Sequence, residues 1–278
     1  MIKIGDIIIS NLFIGSTQVS KVYLGNVKVW PITTETNYVI FTAQQDNSSI
    51  GLTKLSTNQT LEYSTNAVTW NTFNTATNIS LNTGNKVYVR GKLSADNTTS
   101  NCTQFTMSGK IAASGNTNSL WDYEDLNAPL KQYCGYRLFY NCGSLTTAPE
   151  LPAMTLANYC YDSMFYNCSS LTAGISILPA ITLANYCYWG MFYDCTSLTT
   201  APELPATTLA DFCYGNMFFD CSSLNYIKCL ATNGINTNNS TYYWVYGVAS
   251  TGTFVKASSA SWPTGTNGIP SGWTTQDA

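Results

Sequence analysis

Four copies of a 26- or 27-residue unit fill residues 130–232, and this periodicity constrains the fold more than any other feature of the chain. Each copy carries two cysteines eight residues apart, the first at 134, 160, 187 and 213 and the second at 142, 168, 195 and 221. A unit this short cannot bury its own apolar face, whereas stacked copies bury it between them. The repeat therefore predicts a solenoid.

The start of each unit has the apolar spacing of a helix. In the second copy Leu156, Tyr159, Cys160 and Met164 lie at relative positions 0, 3, 4 and 8, which is one face of an α-helix. The Leu-Thr-Thr-Ala-Pro-Glu-Leu-Pro segment that follows in the first and third copies is typical of a short extended strand, since proline cannot donate to a ladder. Each unit is predicted to contain a helix, a turn and a short strand.

The rest of the chain divides into three further segments. Residues 1–31 repeat an Ile-Gly or Leu-Gly pair every ten residues, and each ten-residue unit predicts two short strands. Residues 32–120 alternate strand-like runs with Asn, Gly and Ser turns, which is typical of a small β-sandwich. Residues 121–232 hold the four repeats, and the aromatic-rich residues 233–278 predict a C-terminal cap. The expected fold is mixed α+β and multi-domain.

Charge and composition disfavour several functional classes. Only 10% of the residues are charged, the net charge is −3 and the 12 basic residues are scattered, so we expect no nucleic-acid partner. The chain contains no histidine, the most common general base and metal ligand, which favours a non-enzymatic protein without a cofactor. Gly5 and Asp6 interrupt the first apolar run, and no stretch approaches ~20 apolar residues, so neither a signal peptide nor a transmembrane segment is expected.

The repeated cysteines could be core residues, disulfides or metal ligands. If they lie on helices, two cysteines of one unit are ~12 Å apart along the axis, and neighbouring helices pack ~8–10 Å apart. Both distances exceed the ~7 Å between Cα atoms that a disulfide tolerates, and zinc sites use closer cysteine pairs. Buried free thiols are the favoured interpretation.

Two further sets of residues are candidates for function. Tyr161, Tyr188 and Tyr214 follow the first cysteine of three copies and could form an exposed platform for sugar rings or for another protein, or could pack between repeats. Asp122, Glu124 and Asp125 form an acidic cluster beside aromatic residues, a pattern that glycoside hydrolysis can use but that more often caps the first repeat.

The N-terminal ten-residue repeat is the candidate for attachment. Three such units bury little by themselves, so we expect them to dock on another protein or to self-associate, most simply as a homotrimer. A hairpin packed on the following domain is the alternative. The residues expected to make this attachment are Ile4, Ile14, Tyr23, Leu24 and Trp30.

The repeat LANYCYxxMFYxCxSLTxAPELPAxT of residues 156–208 closely resembles the BspA-like leucine-rich repeats of Bacteroides-type bacteria and their phages. The head motif Lys21-Val22-Tyr23-Leu24-Gly25 is similar to N-terminal segments of phage structural proteins of the same hosts. The resemblance implies a leucine-rich-repeat-type solenoid and a role in adhesion or virion assembly, and it offers no catalytic residues. The second copy departs from it, with Ala173-Gly174-Ile175-Ser176-Ile177 in place of the Thr-Ala-Pro-Glu segment.

Together these features predict a virion surface protein, a phage fibre, receptor-binding or decoration protein. Residues 1–31 would bind other virion proteins, and the repeats would face a glycan or protein of the host surface without inserting into the membrane. A bacterial cell-surface adhesin is the alternative.

Overall fold

The computed structural model describes the backbone of short strands at 3–4, 7–8, 13–14, 17–18, 22–24 and 27–30, and residues 38–57, 59–93, 97–172 and 175–278 with their side chains. Strand accounts for 29% of the described residues and helix for 2%. The prediction of a mixed α+β, multi-domain protein with a leucine-rich-repeat-type solenoid is therefore wrong. The described chain is β-rich, with three sheets of three or more strands.

Each ten-residue unit at the N-terminus forms one antiparallel pair of short strands. The pairs are β1 (Lys3–Ile4) with β2 (Ile7–Ile8), β3 (Phe13–Ile14) with β4 (Thr17–Gln18), and β5 (Val22–Leu24) with β6 (Val27–Trp30). The prediction of two strands per unit is confirmed. Five residues were predicted to make the attachment, and their side chains lie outside the described residues: Ile4, Ile14, Tyr23, Leu24 and Trp30.

The next segment forms two facing sheets. Its elements are β7 (Val39–Ala43), β8 (Ser48–Lys54), β9 (Thr60–Ser64), β10 (Asn71–Phe73), β11 (Asn78–Leu81), β12 (Lys86–Lys92), β13 (Gln104–Ser108), β14 (Ile111–Gly115) and the short helix α1 (Asn118–Trp121). One sheet has the order β10-β9-β12-β7-β14-β15, where β15 (Leu145–Thr147) belongs to the first repeat, and the other has the order β11-β8-β13. The sheets pack through Phe41 and Phe105, whose ring centroids are 5.3 Å apart. Residues 65–70 form a bend that precedes β10.

The segment predicted as a helix in each repeat is instead a chain of overlapping turns. In the first repeat the N–H groups of Cys134, Tyr136 and Leu138 donate to the carbonyls three residues earlier, and the N–H groups between them donate to the next repeat. Thus Tyr133 donates to the carbonyl of Asn158 at 3.3 Å, with no helical i to i−4 bond. We call these segments layers 1 to 4, residues 133–141, 159–167, 186–194 and 212–220.

Left-handed residues recur every fourth position in each layer. In layer 2 they are Tyr159, Ser163 and Asn167, with φ of 58°, 54° and 55°. A residue with left-handed φ breaks the continuous right-handed turn of an α-helix. Because one such residue occurs in every four, each complete turn of the backbone, which we call a winding, takes four residues. The apolar spacing of 3, 4 and 8 arises from this period of four, which resembles the helical period of 3.6 over so short a segment.

The stack extends one layer beyond the four sequence copies. Residues 239–247 form layer 5, in which Asn239, Tyr243 and Gly247 have positive φ and align with the left-handed residues of layer 4. The five N–H donors of layer 4 bond to carbonyls of this part of the tail, from Asn238 to Tyr246.

Opposite the layers, extended segments pair in parallel. The longest of these pairings is a three-stranded sheet of β16 (Tyr226–Cys229), β17 (Thr253–Lys256) and β18 (Thr274–Asp277). Isolated parallel bridges, such as those joining Thr155 to Thr182 and Ile177 to Glu203, connect earlier repeats.

Both ends of the stack are covered. At one end the N–H of Phe105 in β13 donates to the carbonyl of Leu138 at 2.8 Å. At the other end the indole of Trp244 donates to the carbonyl of Gly268 at 2.8 Å, and Tyr243 N–H donates to Asn267 Oδ1 at 2.7 Å. One hydrophobic core runs from Val39 in the sandwich to Trp273 in the tail.

Candidate functional site

The tyrosine column predicted as an exposed platform lies inside the stack. Tyr161, Tyr188 and Tyr214 are 0%, 1% and 1% exposed, and their rings stack at centroid distances of 5.9 and 6.0 Å. The platform interpretation of this column is therefore wrong. Because each winding takes four residues, two adjacent side chains point inward in every winding, so both Cys160 and Tyr161 are buried where a helix would have exposed one of them.

Two other aromatic columns lie on the outer surface of the layers, which we call the turn face. The first column contains Tyr133, Tyr159, Tyr186 and Phe212, and the second contains Tyr140, Tyr166, Tyr193, Phe219 and Tyr246. Successive rings of the first column are 4.5 Å apart and within 14° of parallel. Parallel rings at this distance cover each other's faces, so these half-buried columns present ring edges to solvent.

The first column also explains why bulky residues adopt positive φ. Tyr133, Tyr159, Tyr186 and Phe212 have φ between 55° and 58°, a conformation unusual for large side chains. Each ring contacts its neighbours at 4.5 Å, and such aromatic contacts contribute about 0.5–1.5 kcal/mol per pair. The stacking thus offsets a backbone strain of about the same size.

A tryptophan, Trp189, occupies the fourth position of layer 3 on the turn face. Trp189 of layer 3 lies over Gly215 of layer 4, where a Cβ atom would stand 2.1 Å from the indole. Beyond the glycine, the Tyr242 ring is parallel to Trp189 within 8° at 6.3 Å. Tyr242 contacts Tyr243 edge-on at 4.6 Å, and Tyr243 contacts Tyr246 at 5.9 Å. This end of the turn face therefore carries a connected aromatic cluster.

Asp162 is a buried carboxyl group in the same column of positions as Trp189. Its side chain accepts a hydrogen bond from Ser163 Oγ at 2.6 Å. Burial raises the pKa of Asp162 to about 6, while the Ser163 hydrogen bond and the nearby Arg137 guanidinium oppose that rise. Because burial removes the carboxylate from water, the charged form is disfavoured there.

The ten cysteines are buried. Those of the second cysteine column, Cys142, Cys168, Cys195 and Cys221, are free thiols inside the core. Within the second cysteine column, Cys168, Cys195 and Cys221 donate to carbonyls of the preceding layer at 3.1, 3.1 and 2.9 Å. Burial raises the pKa of the Cys187 thiol to about 12, so it stays protonated and unreactive.

The acidic cluster before the first repeat is engaged in local structure. Asp122 Oδ1 accepts the N–H groups of Glu124 and Asp125 at 3.0 and 3.4 Å. Glu124 pairs with Lys92 at 2.5 Å, and Asp125 Oδ1 accepts the N–H of Asn127 at 3.0 Å. These contacts order the turn that leads into the first repeat.

The extended side of the stack contains an open groove of about 340 Å³. It lies between Leu151 and Pro152 of one repeat and Ile175, Ile177 and Pro179 of the next. Glu150 lies at its rim and contributes a carboxylate. Ile175 and Ile177, which line the groove, belong to the segment of the second copy that departs from the repeat sequence.

Comparison with known proteins finds no relative: no family model, no curated protein and no solved structure matches the chain. Across the described ranges, no helix has the length and apolar character needed to cross a membrane. In the same ranges, no group of three or more His, Cys, Asp or Glu side chains is placed to hold a metal ion.

Proposed function

We propose that the protein is a non-enzymatic surface protein of a virion, a bacteriophage fibre, receptor-binding or decoration protein whose turn face is directed at the host. The observation that carries this proposal is the backbone-bonded stack with both ends covered. Interlayer N–H bonds such as Phe139 to Met164 O at 2.9 Å hold repeated side chains in one register. A surface fixed in this way loses little conformational entropy on binding, which favours recognition.

The virion assignment is supported by the resemblance of the repeats and of the N-terminal segment to phage proteins. In this proposal residues 1–31 bind other virion proteins and form a homotrimer, while the sandwich is a spacer. The stack that these two segments carry is poor in charged residues and rich in hydroxyl and amide side chains.

A bacterial surface adhesin is the second candidate, since the same stack would serve recognition on a cell. Immunogold labelling separates the two, using antibody against the folded protein on lysates of infected cells fractionated by density. The virion proposal expects label on intact particles that contain capsid proteins. Label on bacterial envelopes and not on particles would contradict the virion proposal and favour the adhesin.

The N-terminal attachment is tested in the full-length chain. We expect the triple variant Ile4→Asp, Ile14→Asp, Leu24→Asp to reduce incorporation into particles at least ~10-fold, because each change puts a charge on a residue expected at an apolar contact. The matched control is Val68→Asp in the sandwich, at a side chain that is already 79% exposed. Equal incorporation of the triple variant and the control would contradict attachment through residues 1–31.

A further inference from the structure

The end of the turn face at layer 5 exposes three tyrosines that contact one another. Tyr242, Tyr243 and Tyr246 are 39%, 38% and 44% exposed, against 0–1% for the inner tyrosine column. We propose that these three tyrosines form a binding platform for a neutral glycan. This inference rests on the proposed function in one respect, since it names the chemical class of the host receptor.

Free ring surface distinguishes layer 5 from the middle of the stack. In layers 2 and 3 the rings of both columns are stacked on both faces by rings of the neighbouring layers, so a sugar cannot lie on them. In layer 5 the first column ends, because Asn239 occupies the position of Phe212. The second column ends at Tyr246, whose ring stacks on Phe219 at 4.7 Å and lies at 67° to the Tyr243 ring, 5.9 Å away. No further ring of the described residues stacks on Tyr246, and the residue is 44% exposed, so its ring offers surface to a pyranose.

The platform is held rigid by the backbone. The N–H of Asn216 donates to the carbonyl of Tyr242 at 2.7 Å, and the N–H of Asp220 donates to the carbonyl of Tyr246 at 2.7 Å. The Tyr243 N–H is bonded to Asn267 Oδ1, also at 2.7 Å. With the backbone fixed from both sides, binding orders few new degrees of freedom.

Hydrogen-bonding groups border the rings. Asp220 lies against Gly247, where a Cβ atom would be 2.1 Å from the carboxylate oxygen, and so stands next to Tyr246 along the chain. The side chain of Asn239 is exposed at the other side of the layer. Carboxylate and amide groups beside aromatic rings suit the hydroxyl groups of a sugar, whose C–H face packs on the ring.

The charge of the turn face favours the binding of neutral sugars over acidic ones. Layers 2 to 5 contain Asp162, Asp194 and Asp220 and no lysine or arginine. A sialylated, uronic-acid or sulfated glycan would bring negative charge to a face that has no cation to pair with it. We therefore expect neutral hexose oligosaccharides, with binding that changes little with salt.

The test is binding of the purified full-length protein to an array of neutral gluco-, galacto- and manno-oligosaccharides beside sulfated and uronic-acid oligosaccharides. The strongest neutral oligosaccharide is then titrated by calorimetry. We expect Tyr243→Ala and Tyr246→Ala each to weaken binding at least ~10-fold, because each removes a stacking surface. Tyr246→Phe keeps the ring and is expected to stay within about threefold of the unchanged protein.

Ile181→Ala is the control, since Ile181 is 64% exposed on a different part of the surface. Circular dichroism checks that each variant is folded. Three results would each overturn the inference. They are failure of all neutral oligosaccharides to bind, stronger binding of the acidic oligosaccharides, and unchanged binding by folded Tyr243→Ala and Tyr246→Ala. Particle labelling is independent of these results, so a virion protein without glycan binding would leave the proposed function intact and refute only the platform.

Discussion

Asp162 shows how one residue departs from the pattern that surrounds it. Its position in the column is occupied by an aromatic residue in three of the other layers, Tyr136, Trp189 and Tyr242, and by Gly215 in layer 4. Burial raises the pKa of its carboxyl group to about 6, against about 4 in an unfolded chain. The folded state therefore binds more protons between pH 4 and 6. The stability that Asp162 contributes is full below about pH 4 and is lost as the pH rises through 6.

Asp162→Asn is predicted to raise the free energy of unfolding by about 3 kcal/mol at pH 8 and to leave it nearly unchanged at pH 4. The reason is that about two pKa units, at 1.36 kcal/mol each, are the cost of ionising the buried group, and an amide does not ionise. An asparagine oxygen still accepts the Ser163 hydroxyl. Urea unfolding of both proteins at the two pH values measures the difference. Destabilisation of the same size at both pH values would contradict the prediction.

At the scale of the element, the layer is defined by where its left-handed residues fall. The middle left-handed position is occupied by Arg137, Ser163, Gly190, Asn216 and Tyr243, which share a positive φ and no side-chain chemistry. The constraint is therefore on the backbone, whose N–H at this position donates to the next layer or, in Tyr243, to Asn267. Asparagine and glycine adopt positive φ readily, whereas β-branched residues do not.

Asn216→Val is predicted to lower the free energy of unfolding by about 1–3 kcal/mol, because valine is strained at the φ of 53° found there. Asn216→Gly is expected to stay within about 0.5 kcal/mol of the unchanged protein. Thr199→Val, at an exposed site without positive φ, controls for the introduction of valine. Thermal unfolding followed by circular dichroism measures all three. Equal losses in Asn216→Val and Thr199→Val would refute the backbone explanation.

The sequence predicted some of these elements and missed others for physical reasons. The phased cysteines indicated buried free thiols, and the Ile-Gly and Leu-Gly pairs indicated two strands per N-terminal unit. The layers were mistaken for helices because a period of four produces the same apolar spacing over nine residues. The same error led to the prediction that Tyr161, Tyr188 and Tyr214 are exposed, whereas the period of four places their side chains inside the stack. Layer 5 was missed because Asn239, Tyr243 and Gly247 preserve the backbone geometry without preserving the repeat sequence.

At the scale of the whole molecule, the sandwich and the stack share one core. Phe105 of β13 stacks on Phe139 of layer 1 at 5.2 Å, and Phe139 stacks on Phe165 of layer 2 at 5.3 Å. Phe192 and Phe218 continue this column through layers 3 and 4. The sandwich therefore covers the end of the stack with side chains as well as with hydrogen bonds.

Phe105→Ala is predicted to cost about 3–5 kcal/mol and to unfold the stack together with the sandwich, because the cavity forms where the two meet. Unfolding is followed by the fluorescence of Trp70 in the sandwich and of Trp244 in layer 5, each in a variant in which the other tryptophans are replaced. We expect both probes to report a single transition with the same lowered midpoint. Leu55→Ala, at a partly buried sandwich residue, is a milder control. Separate midpoints for the two tryptophans would show that the sandwich and the stack unfold independently.

The interfaces between successive layers use the same set of backbone donors and acceptors, including the one that leads into the divergent layer 5. Removing or duplicating one complete unit therefore leaves two compatible surfaces to meet again. In the gene, such a unit is an in-frame tandem segment, and recombination between neighbouring copies adds or deletes segments of this kind in a single event. A change in repeat number of this kind would lengthen or shorten the stack and leave the sandwich at one end and the aromatic cluster at the other unaltered.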